Sequence, residues 1–553
     1  MKFPRILNFG ESALTIEFGD RIAPELNLEV RALDDRIRRE PWRGLIEAVP
    51  TYRSLLVHFD PLVSPPDEVR SRVESLLQKS GDFSVSTGTL KKVPTVYDGE
   101  DLAEVCAHVG LSRQEVIEHH SREEMMVYML GFSPGFAYMG LLPDVMSTPR
   151  RACPRTRVPA GTVAIARQQT CVYPSANPSG WYVIGRASLP LFDPNLDPPT
   201  FFQPGDRVQF VPTESLEEPR QPVIRSGVQH GLAAIEVIKR RAPQTTVQDL
   251  GRPGYQRFGV PVAGALDASA LRAANLLVGN EPGAAGLEAT IAGPPVFRFL
   301  RPIVFATAGA DLGAVLKGPD SSTTPIVPYR TYGASEGAVL RFTERRSGAR
   351  AYLAIAGGID VAPVMGSRAT YLPAELGGVA GRALLPGDVL YALPKQNRAT
   401  MNRRWPEEHI PRNEDHVTVR VIWGPQDDCF TSKACETLMS EEYEVTVSSD
   451  RWGCRLDGPS LEHSGESEIV SDGMMPGAIQ VPPNGKPIVM LADRATTGGY
   501  PKIATVIGPD IAKLGQLMPG GRVRFQSIGV ESALSAAGEQ RRVEEKIARD
   551  LGA

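Results

Sequence analysis

The chain has 553 residues and a formal net charge of -4, with 60 Lys and Arg against 64 Asp and Glu. At ~150 residues per domain, this length predicts several domains. The balanced charge and the lack of a long basic run argue against nucleic acid or an anionic membrane as a partner. The chain has 53 Gly, 48 Pro and many short β-branched runs, which favours a mainly β architecture rich in turns.

The first residues lack the apolar core of a signal peptide, and no run approaches the ~20 apolar residues of a membrane span. We therefore expect a cytoplasmic protein with no membrane partner. The six cysteines contain no CxxC pair. This pattern argues against a disulfide framework and against a zinc knuckle.

Along the chain, residues 1–90 mix alternating strand patterns with segments of helical periodicity, which predicts a small α/β domain. Three later segments end alike, in QPGDRVQF, LPGDVLYA and MPGGRVRF, each a tight turn entering a closing strand. They predict three barrels or sandwiches of related build, separated by polar stretches at 211–233 and 395–416. The predicted domains are 1–90, 91–215, 233–395 and 415–528, followed by a terminal helix at 529–553.

The segment from Gly131 to Gly185 combines glycines, aromatic residues and arginines. Its GFSPG start matches the GxSxG pattern of a nucleophile elbow, but Pro134 has no N–H to donate to an oxyanion, so Ser133 is not predicted as a nucleophile. Arginine suits carboxylate or phosphate ligands. The predicted ligand-binding residues here are Phe136, Tyr138, Arg150, Arg155 and Arg186; solvated or ion-paired arginines are the alternative.

Two further segments carry polar residues next to glycines. Around a helix predicted at 268–278, the candidates are Asp249, Arg252, Asn275 and Asn280. Asp249 and Arg252 could position a polar substrate or pair with each other.

The second segment, PIVMLADRATTGGYPKIATVI at 487–507, places charged residues on a glycine-containing connector between two predicted strands. The connector could bind a ligand, or it could be a satisfied hairpin turn. Its candidates are Asp493, Arg494, Thr497, Gly498, Gly499, Tyr500 and Lys502, with Gln480 grouped beside them.

Several motifs are absent from the sequence: the phosphate loop GxxxxGK[ST], GxGxxG after a strand, HExxH and a biotin-type Met-Lys-Met. A nucleotide or a biotin carrier would therefore need another chain or an unfamiliar site. No metal site is predicted.

Long motifs in both halves resemble a known pair of proteins joined end to end. Residues 1 to about 215, with GFSPGFAYMGLLP, PAGTVAIA and NPSGWYVIGR, resemble the family of 5-oxoprolinase B subunits, also called the Kip inhibitor family or the first allophanate-hydrolase-like family. Residues from about 233 to 528, with TTVQDLGRPGYQRFG and ADRATTGGYPKIATVI, resemble the family of 5-oxoprolinase C subunits, also called the Kip antagonist family. In the opposite order, the two modules resemble the carboxyltransferase part of urea carboxylase.

The resemblance implies an N-terminal α/β domain followed by cyclophilin-like β-barrels in tandem. It also implies ATP-dependent opening of 5-oxoproline to glutamate together with a separate LamB/YcsF-type A subunit. The Mg-bound ATP could lie on that partner, and self-association of the chain stays open. Two alternatives remain: a carboxyltransferase working with a separate biotin carrier, and a binding protein that regulates a histidine kinase.

Developing negative charge in this reaction requires cationic or hydrogen-bond donors, and the connector carries residues suited to such work. We therefore hypothesise that Asp493, Thr497 and Lys502 are catalytic and that the other candidates are substrate contacts. Two positions depart from the family pattern. Ser179 stands where a glycine is usual, and Arg494 with Ala495 stands where His-Gln is frequent. The substrate could therefore be a related amide or urea compound.

Overall fold

A computed structural model of the chain describes residues 3–79, 88–151, 153–217, 230–239, 244–290, 296–394 and 401–552. Parts of the predicted boundaries at 211–233 and 395–416 lie outside the described residues. Strands predominate over helices, as the composition predicts.

The N-terminal domain is the predicted small α/β unit. Its antiparallel sheet has the strand order β1-β2-β4-β3, and both helices bury an apolar stripe against it. In the first helix, Pro24 occupies the first turn and the basic residues fall in the last turn, where they complement the helix dipole. The elements are β1 (Arg5–Phe9), β2 (Ala13–Glu17), α1 (Pro24–Arg39), β3 (Leu45–Pro50), β4 (Ser54–Phe59) and α2 (Pro66–Gln78).

The next domain is a closed barrel with the strand order β10-β7-β6-β13-β5-β12-β9. Its first and last strands, β5 and β13, pair in parallel. The elements are β5 (Leu90–Val96), α3 (Leu102–Val109), α4 (Arg113–Arg122), β6 (Met125–Leu130), β7 (Ala137–Gly140), β8 (Arg155–Val158), β9 (Thr162–Ala166), β10 (Gln169–Val172), β11 (Asn177–Ser179), β12 (Tyr182–Ala187) and β13 (Arg207–Pro212).

The middle domain corrects one prediction. In place of the β-barrel that the resemblance implies at 233–395, its described residues form two open sheets, β20-β19-β22-β17-β14-β24 and β15-β16-β23-β18-β21, which share one apolar core. Of the barrel and the sandwich that the strand endings predict, this is the sandwich. The turn-and-strand motif LPGDVLYA does not distinguish these architectures, because a sandwich and a barrel both use it to add a last strand.

The same domain contains the predicted helix, with the Asp267 side chain accepting the Ala270 N–H as its N-cap. The elements are β14 (Leu232–Lys239), β15 (Thr245–Gln248), α5 (Ala268–Leu277), β16 (Gly286–Thr290), β17 (Val296–Phe299), β18 (Ile303–Asp311), β19 (Ala314–Lys317), β20 (Thr323–Pro325), β21 (Arg330–Ala334), β22 (Val339–Phe342), β23 (Ser347–Ile355) and β24 (Val389–Ala392).

A second closed barrel follows, in the order β25-β32-β29-β30-β27-β26-β33, again with parallel pairing of its first and last strands. The tandem barrels confirm the predicted fold class. The elements are β25 (His416–Trp423), α6 (Ser432–Ser440), β26 (Glu442–Val445), β27 (Gly453–Asp457), β28 (Asp472–Gly473), β29 (Ala478–Gln480), β30 (Ile488–Met490), β31 (Thr497–Gly498), β32 (Lys502–Val506), α7 (Gly508–Gly515), β33 (Arg522–Ser527) and α8 (Val530–Asp550).

The second barrel packs directly on the N-terminal domain. Phe9 and Leu56 of that domain share an apolar cluster with Met474 and Met490 of the barrel. The terminal helix α8 also contacts the N-terminal domain, because Arg541 pairs with Asp60 at 2.9 Å. Short 3-10 turns occur at Asp144–Met146, Gln256–Phe258, Leu372–Ala374, Glu407–His409 and Asp427–Cys429. None of the helices within the described ranges is long and apolar enough to cross a membrane.

Candidate active site at the junction of the two halves

The loop between β6 and β7, residues 131–136, is held in place by the C-terminal half. A Cβ atom added to Gly131 would lie 2.6 Å from Thr497 Cγ2. One added to Gly259 would lie 2.9 Å from the carbonyl carbon of Ser133. Real Cβ atoms do not come this close to other heavy atoms. Glycine at both positions therefore allows the N-terminal and C-terminal halves of the chain to pack directly against each other. The connector and the 131–136 loop are therefore neighbours.

The 131–136 loop also contains a strained backbone position. Phe132 has φ 63°, a left-handed conformation that costs a bulky residue of order 1–3 kcal/mol. The next turn is fixed from outside, because the Gly135 N–H donates to the Phe258 carbonyl at 2.9 Å. Strain that the surrounding structure maintains tends to occur at ligand sites.

Five aromatic residues form a continuous wall at this junction. Phe136, Tyr138, Tyr173 and Trp181 pack edge to face, with ring centroids between 4.8 and 6.3 Å apart. Tyr52, from the turn between β3 and β4, joins them at 6.0 Å from Tyr138. We call these five residues the aromatic wall. The N-terminal domain and the first barrel thus build one surface, and the connector meets it at Thr497.

The polar groups of the aromatic wall are neutral. Burial raises the pKa of Tyr138 to about 12, although the nearby Arg150 guanidinium and Thr497 side chain act to lower it. Burial also raises the pKa of Tyr52 and of the adjacent Cys171 thiol well above their usual values. At neutral pH these groups therefore keep their protons and can donate hydrogen bonds.

Charged side chains lie at the rim of this surface. The Arg150 guanidinium lies 3.8 Å from the Glu468 carboxylate, and the Arg167 guanidinium lies 2.5 Å from it. The Arg150 and Arg167 side chains are 40% and 60% exposed, so water screens both pairs. Glu468 belongs to the second barrel, so the rim also joins the two halves. The neutral hydroxyls of the aromatic wall therefore lie near charged side chains at its rim.

Asp493, predicted as catalytic, lies in a buried ion-pair network. Both its carboxylate oxygens accept hydrogen bonds from Arg451, at 2.9 and 3.0 Å, and Arg451 also donates to Glu288 at 2.6 Å. Burial disfavours charge on Arg451, but the two carboxylates outweigh that effect and raise its pKa. The network fastens the start of the connector to the middle domain.

Arg494, predicted as a substrate contact, is completely buried. Its guanidinium donates to the Met474 carbonyl and to the Gln256 side chain, and Gln256 donates to Glu47 of the N-terminal domain at 2.6 Å. Burial lowers the pKa of Arg494 to about 10. Arg494 thus ties the connector to the N-terminal half.

Lys502, predicted as catalytic, is fully buried together with Asp472, and the two form an ion pair. The Asp472 carboxylate also accepts from Gln426 Nε2 at 3.0 Å. An ammonium group held this way fixes the end of the connector through a buried charge pair.

The remaining connector residues lie beside Thr497. Gln480 is buried and donates to the Tyr500 carbonyl at 3.3 Å. A Cβ atom on Gly498 would meet Met474 at 2.6 Å, and one on Gly499 would meet the Ser471 hydroxyl at 3.2 Å. Gly498, Gly499 and Tyr500 are partly exposed, so this end of the connector borders solvent.

The structure does not bring Arg155 or Arg186 to the aromatic wall. Arg155 makes a two-pronged ion pair with Asp101, at 2.7 and 2.6 Å, just before α3. Arg186 is exposed and pairs with Asp98 at 2.8 Å. Both arginines take the ion-paired alternative that the sequence left open.

Asp249 and Arg252 together hold the loop around residues 364–370. Asp249 accepts from the Ser367 hydroxyl at 2.7 Å and from the Arg368 N–H at 2.6 Å. Arg252 is buried and donates to the carbonyls of Ala369 and Val364. These two predicted substrate contacts therefore position a neighbouring loop.

Asn275 and Asn280 brace the turn that follows α5. Asn280 donates to the Asn275 side chain at 3.0 Å and to the Ile355 carbonyl at 2.8 Å. Asn275 donates to the Ala284 carbonyl at 2.7 Å. Both amides satisfy backbone groups away from the aromatic wall.

Of the residues predicted from the sequence, the structure brings Phe136, Tyr138, Arg150 and Thr497 together. Sequence reasoning missed Tyr52 and Glu468. Tyr52 lies in a short turn between two strands, and no glycine or arginine pattern marks it as a ligand residue. Glu468 lies in a polar loop with many equivalent acids, so only its pairing with Arg150 and Arg167 reveals it.

Within the described ranges, no three His, Cys, Asp or Glu side chains are grouped to hold a metal ion.

Two family models match the chain in tandem. The model described as carboxyltransferase domain, subdomain C and D, matches residues 4–202. The model described as carboxyltransferase domain, subdomain A and B, matches residues 258–527. The junction described above lies between these two matched regions.

Curated relatives match each half separately. The chain is 38% identical to the C subunit of Escherichia coli 5-oxoprolinase over 311 residues, covering 56% of this chain and 97% of that protein. It is 38% identical to the B subunit of Bacillus subtilis 5-oxoprolinase over 220 residues, covering 37% of this chain and 92% of that protein. Saccharomyces cerevisiae urea amidolyase is 32% identical, over 56% of this chain and 18% of the yeast protein.

Among solved structures, the crystal structure of TTHA0988 matches with a TM-score of 0.82 and 34% identity, covering 93% of this chain and 99% of that one. The single TTHA0988 chain therefore contains both halves in a similar arrangement. Since relatives matched over nearly their whole length cover both halves, the chain belongs to the carboxyltransferase-domain family that includes the B and C subunits of 5-oxoprolinase.

Proposed function

We propose that this protein is the fused B and C component of a cytoplasmic, ATP-dependent 5-oxoprolinase. It would convert 5-oxo-L-proline, ATP and water to L-glutamate, ADP and phosphate together with a separate LamB/YcsF-type A subunit. The observation that carries the proposal is the coverage of the relatives. One chain spans 97% of a 5-oxoprolinase C subunit and 92% of a B subunit.

The chemistry of the junction supports this proposal. An amide carbonyl is a poor electrophile, and transfer of a phosphoryl group to its oxygen creates a leaving group that makes attack by water feasible. Water adds to the activated carbon as the electrons of its C=N bond move to the ring nitrogen, and the C–N bond then breaks to give an acyl phosphate. A second water hydrolyses the acyl phosphate to the acid and phosphate. Its carbonyl oxygen gains negative charge during this attack, so preorganised donors stabilise the transition state. Neutral tyrosine and threonine hydroxyls at the junction can act as such donors.

Of the three predicted catalytic residues, we assign Thr497 to face the substrate, because it alone of them touches the aromatic wall. We assign Asp493 and Lys502 to hold the connector through their buried ion pairs. ATP with its magnesium is assigned to the A subunit or to its interface with this chain.

A specific observation favours a second candidate. The urea amidolyase relatives and the descriptions of both family models point to carboxyl transfer to a urea or amide group. In that case a separate biotin carrier would deliver the carboxyl group, since the sequence contains no biotin attachment motif. Transfer of labelled carboxylate from a carboxylated biotin carrier to urea would support this second function.

The leading proposal is tested by purifying the chain with its A subunit and measuring glutamate release from 5-oxoproline. We expect release that needs ATP, the A subunit and this chain together. Reactions that omit one component at a time are the controls. Absence of ATP-dependent release from the folded complex would contradict the proposal, and an effect on autophosphorylation of a sensor kinase would then support the regulatory alternative.

A further inference from the structure

Tyr52 carries a buried polar atom that the rest of the described chain does not satisfy. Its side chain is 1% exposed, and its Oη has no hydrogen-bond partner among the described residues. Leaving a buried hydroxyl unpaired is unfavourable, because the group has lost its hydrogen bonds to water. A protein retains such a group at low cost when a ligand or water supplies the partner.

This hydroxyl lies in the neighbourhood of the predicted site. The Tyr52 ring is 6.0 Å from the ring of Tyr138, and Arg150 lies close enough to act to lower the pKa of both phenols. Tyr138 is partly exposed, so a molecule from solvent can reach this part of the aromatic wall. The buried Ser133 hydroxyl, in the strained 131–136 loop, is also without a partner among the described residues.

We propose that the hydroxyls of Tyr52 and Tyr138 donate to the carbonyl oxygen of a small cyclic amide, whose acid group lies at Arg150 on the rim. This inference rests on the proposed function and names the groups that hold its substrate. It assigns the N-terminal domain a direct part in the site, through Tyr52.

The charge distribution fits a ligand with one neutral and one anionic end. The aromatic wall offers aromatic rings and neutral hydroxyls, which suit an uncharged ring and an amide carbonyl. Arg150 remains 40% exposed and is only 3.8 Å from Glu468 rather than in a tight pair. Its guanidinium can therefore accept a carboxylate ligand with little desolvation.

Calorimetric titration of the full chain with two ligands tests this orientation. The ligands are 5-oxoproline and 2-pyrrolidinone, a cyclic amide of the same ring size without the acid group. The variants are Tyr52→Phe and Arg150→Gln. Tyr443→Phe is the matched control. Like Tyr52, Tyr443 is buried, and its hydroxyl has no partner among the described residues. Unlike Tyr52, it packs against Phe525 inside the second barrel.

We expect Tyr52→Phe to weaken both ligands about tenfold, as loss of one hydrogen bond predicts. Arg150→Gln should weaken 5-oxoproline about tenfold and leave 2-pyrrolidinone unchanged. Tyr443→Phe should bind both ligands like the unmodified protein.

Unchanged binding by Tyr52→Phe, or an equal loss for both ligands in Arg150→Gln, would overturn the inference. So would turnover by the complete complex without 5-oxoproline binding to this chain. If the expected binding pattern appears but the complex with the A subunit releases no glutamate, the proposed amide-binding site is supported and the proposed reaction is wrong. The two failures are therefore distinguishable.

Discussion

The aromatic wall and the connector meet at Thr497, but their polar side chains differ in charge and in hydrogen-bond pairing. Along the connector, the charged side chains of Asp493, Arg494 and Lys502 are buried and paired. On the aromatic wall, the phenols are neutral, and the Tyr52 hydroxyl has no partner within the described ranges. Paired charges hold a structure together, whereas unpaired donors are free to bind.

This difference changes the role of the charged connector residues that the sequence predicts as catalytic. A charged group with fixed partners must lose them before it can act on a substrate, and breaking a buried pair is costly. The connector therefore acts mainly as a brace that brings Thr497 to the aromatic wall. Substitutions that break the buried ion pairs of the connector should have the largest effects. Substitutions at its contact with the aromatic wall, and then at the rim, should have smaller ones.

Arg451→Met should cause the largest loss of stability, because it leaves the buried Asp493 carboxylate without its ion-pair partner and leaves Glu288 only the more distant Arg350, at 3.9 Å. We expect the free energy of unfolding to fall by about 3–5 kcal/mol, measured by denaturant titration. Arg522→Met is the control, since Arg522 pairs with Glu442 at the surface and should cost under about 1 kcal/mol. A loss of similar size in both variants would contradict the brace.

Lys502→Met should cost about 3 kcal/mol by the same measurement, because Asp472 then stays buried without its partner. Adding Asp472→Leu should restore most of the loss, since apolar residues can replace a buried ion pair. Lys486→Met, which breaks an exposed pair with Asp457, is the control. A fully stable but inactive Lys502→Met protein would instead show that the ammonium group performs chemistry.

Gly131→Ala should separate the aromatic wall from the connector, because the added Cβ would overlap the Thr497 side chain. We expect a cost of about 1–3 kcal/mol in stability and at least a tenfold loss of kcat/KM for glutamate release, as about 1 Å of misplacement can cause. Adding Thr497→Gly should restore the stability but not the activity. Gly529→Ala is the control, since no atom lies within 4 Å of its added Cβ.

Glu468→Gln should have the smallest effect. It weakens two partly exposed ion pairs at the rim, so stability should change by less than about 1 kcal/mol. Release of Arg150 should lower the KM for an acidic substrate roughly two- to threefold at low salt, and the gain should disappear in high salt. A large fall in kcat would instead place Glu468 in the chemistry.

How much the sequence predicts depends on whether the signal is local. The tandem barrels, the small α/β domain and α5 follow from strand patterns, turns and a capped helix, and the structure confirms them. For the middle domain the turn motif leaves barrel and sandwich open, because sheet closure depends on long-range pairing that a turn motif does not encode. The structure shows two open sheets rather than the barrel that the resemblance implies.

At the site, glycines and aromatic residues identify Phe136 and Tyr138, but residue type alone does not separate a bracing charge from a binding one. Asp493 and Arg155 carry the groups that ligands need, and only their partners, Arg451 and Asp101, show that they are already paired. Tyr52 shows the converse case. Its role depends on a contact with Tyr138, which lies far away in the chain. No local sequence pattern reveals such a contact.

A crystal structure of the chain with 5-oxoproline tests the central claim most directly. We predict density for the lactam ring against the aromatic wall, with its carbonyl oxygen within hydrogen-bond distance of Tyr52 and Tyr138 and its carboxylate at Arg150. Ligand density that contacts Asp493 or Lys502 in place of the aromatic wall, with their ion pairs broken, would contradict it.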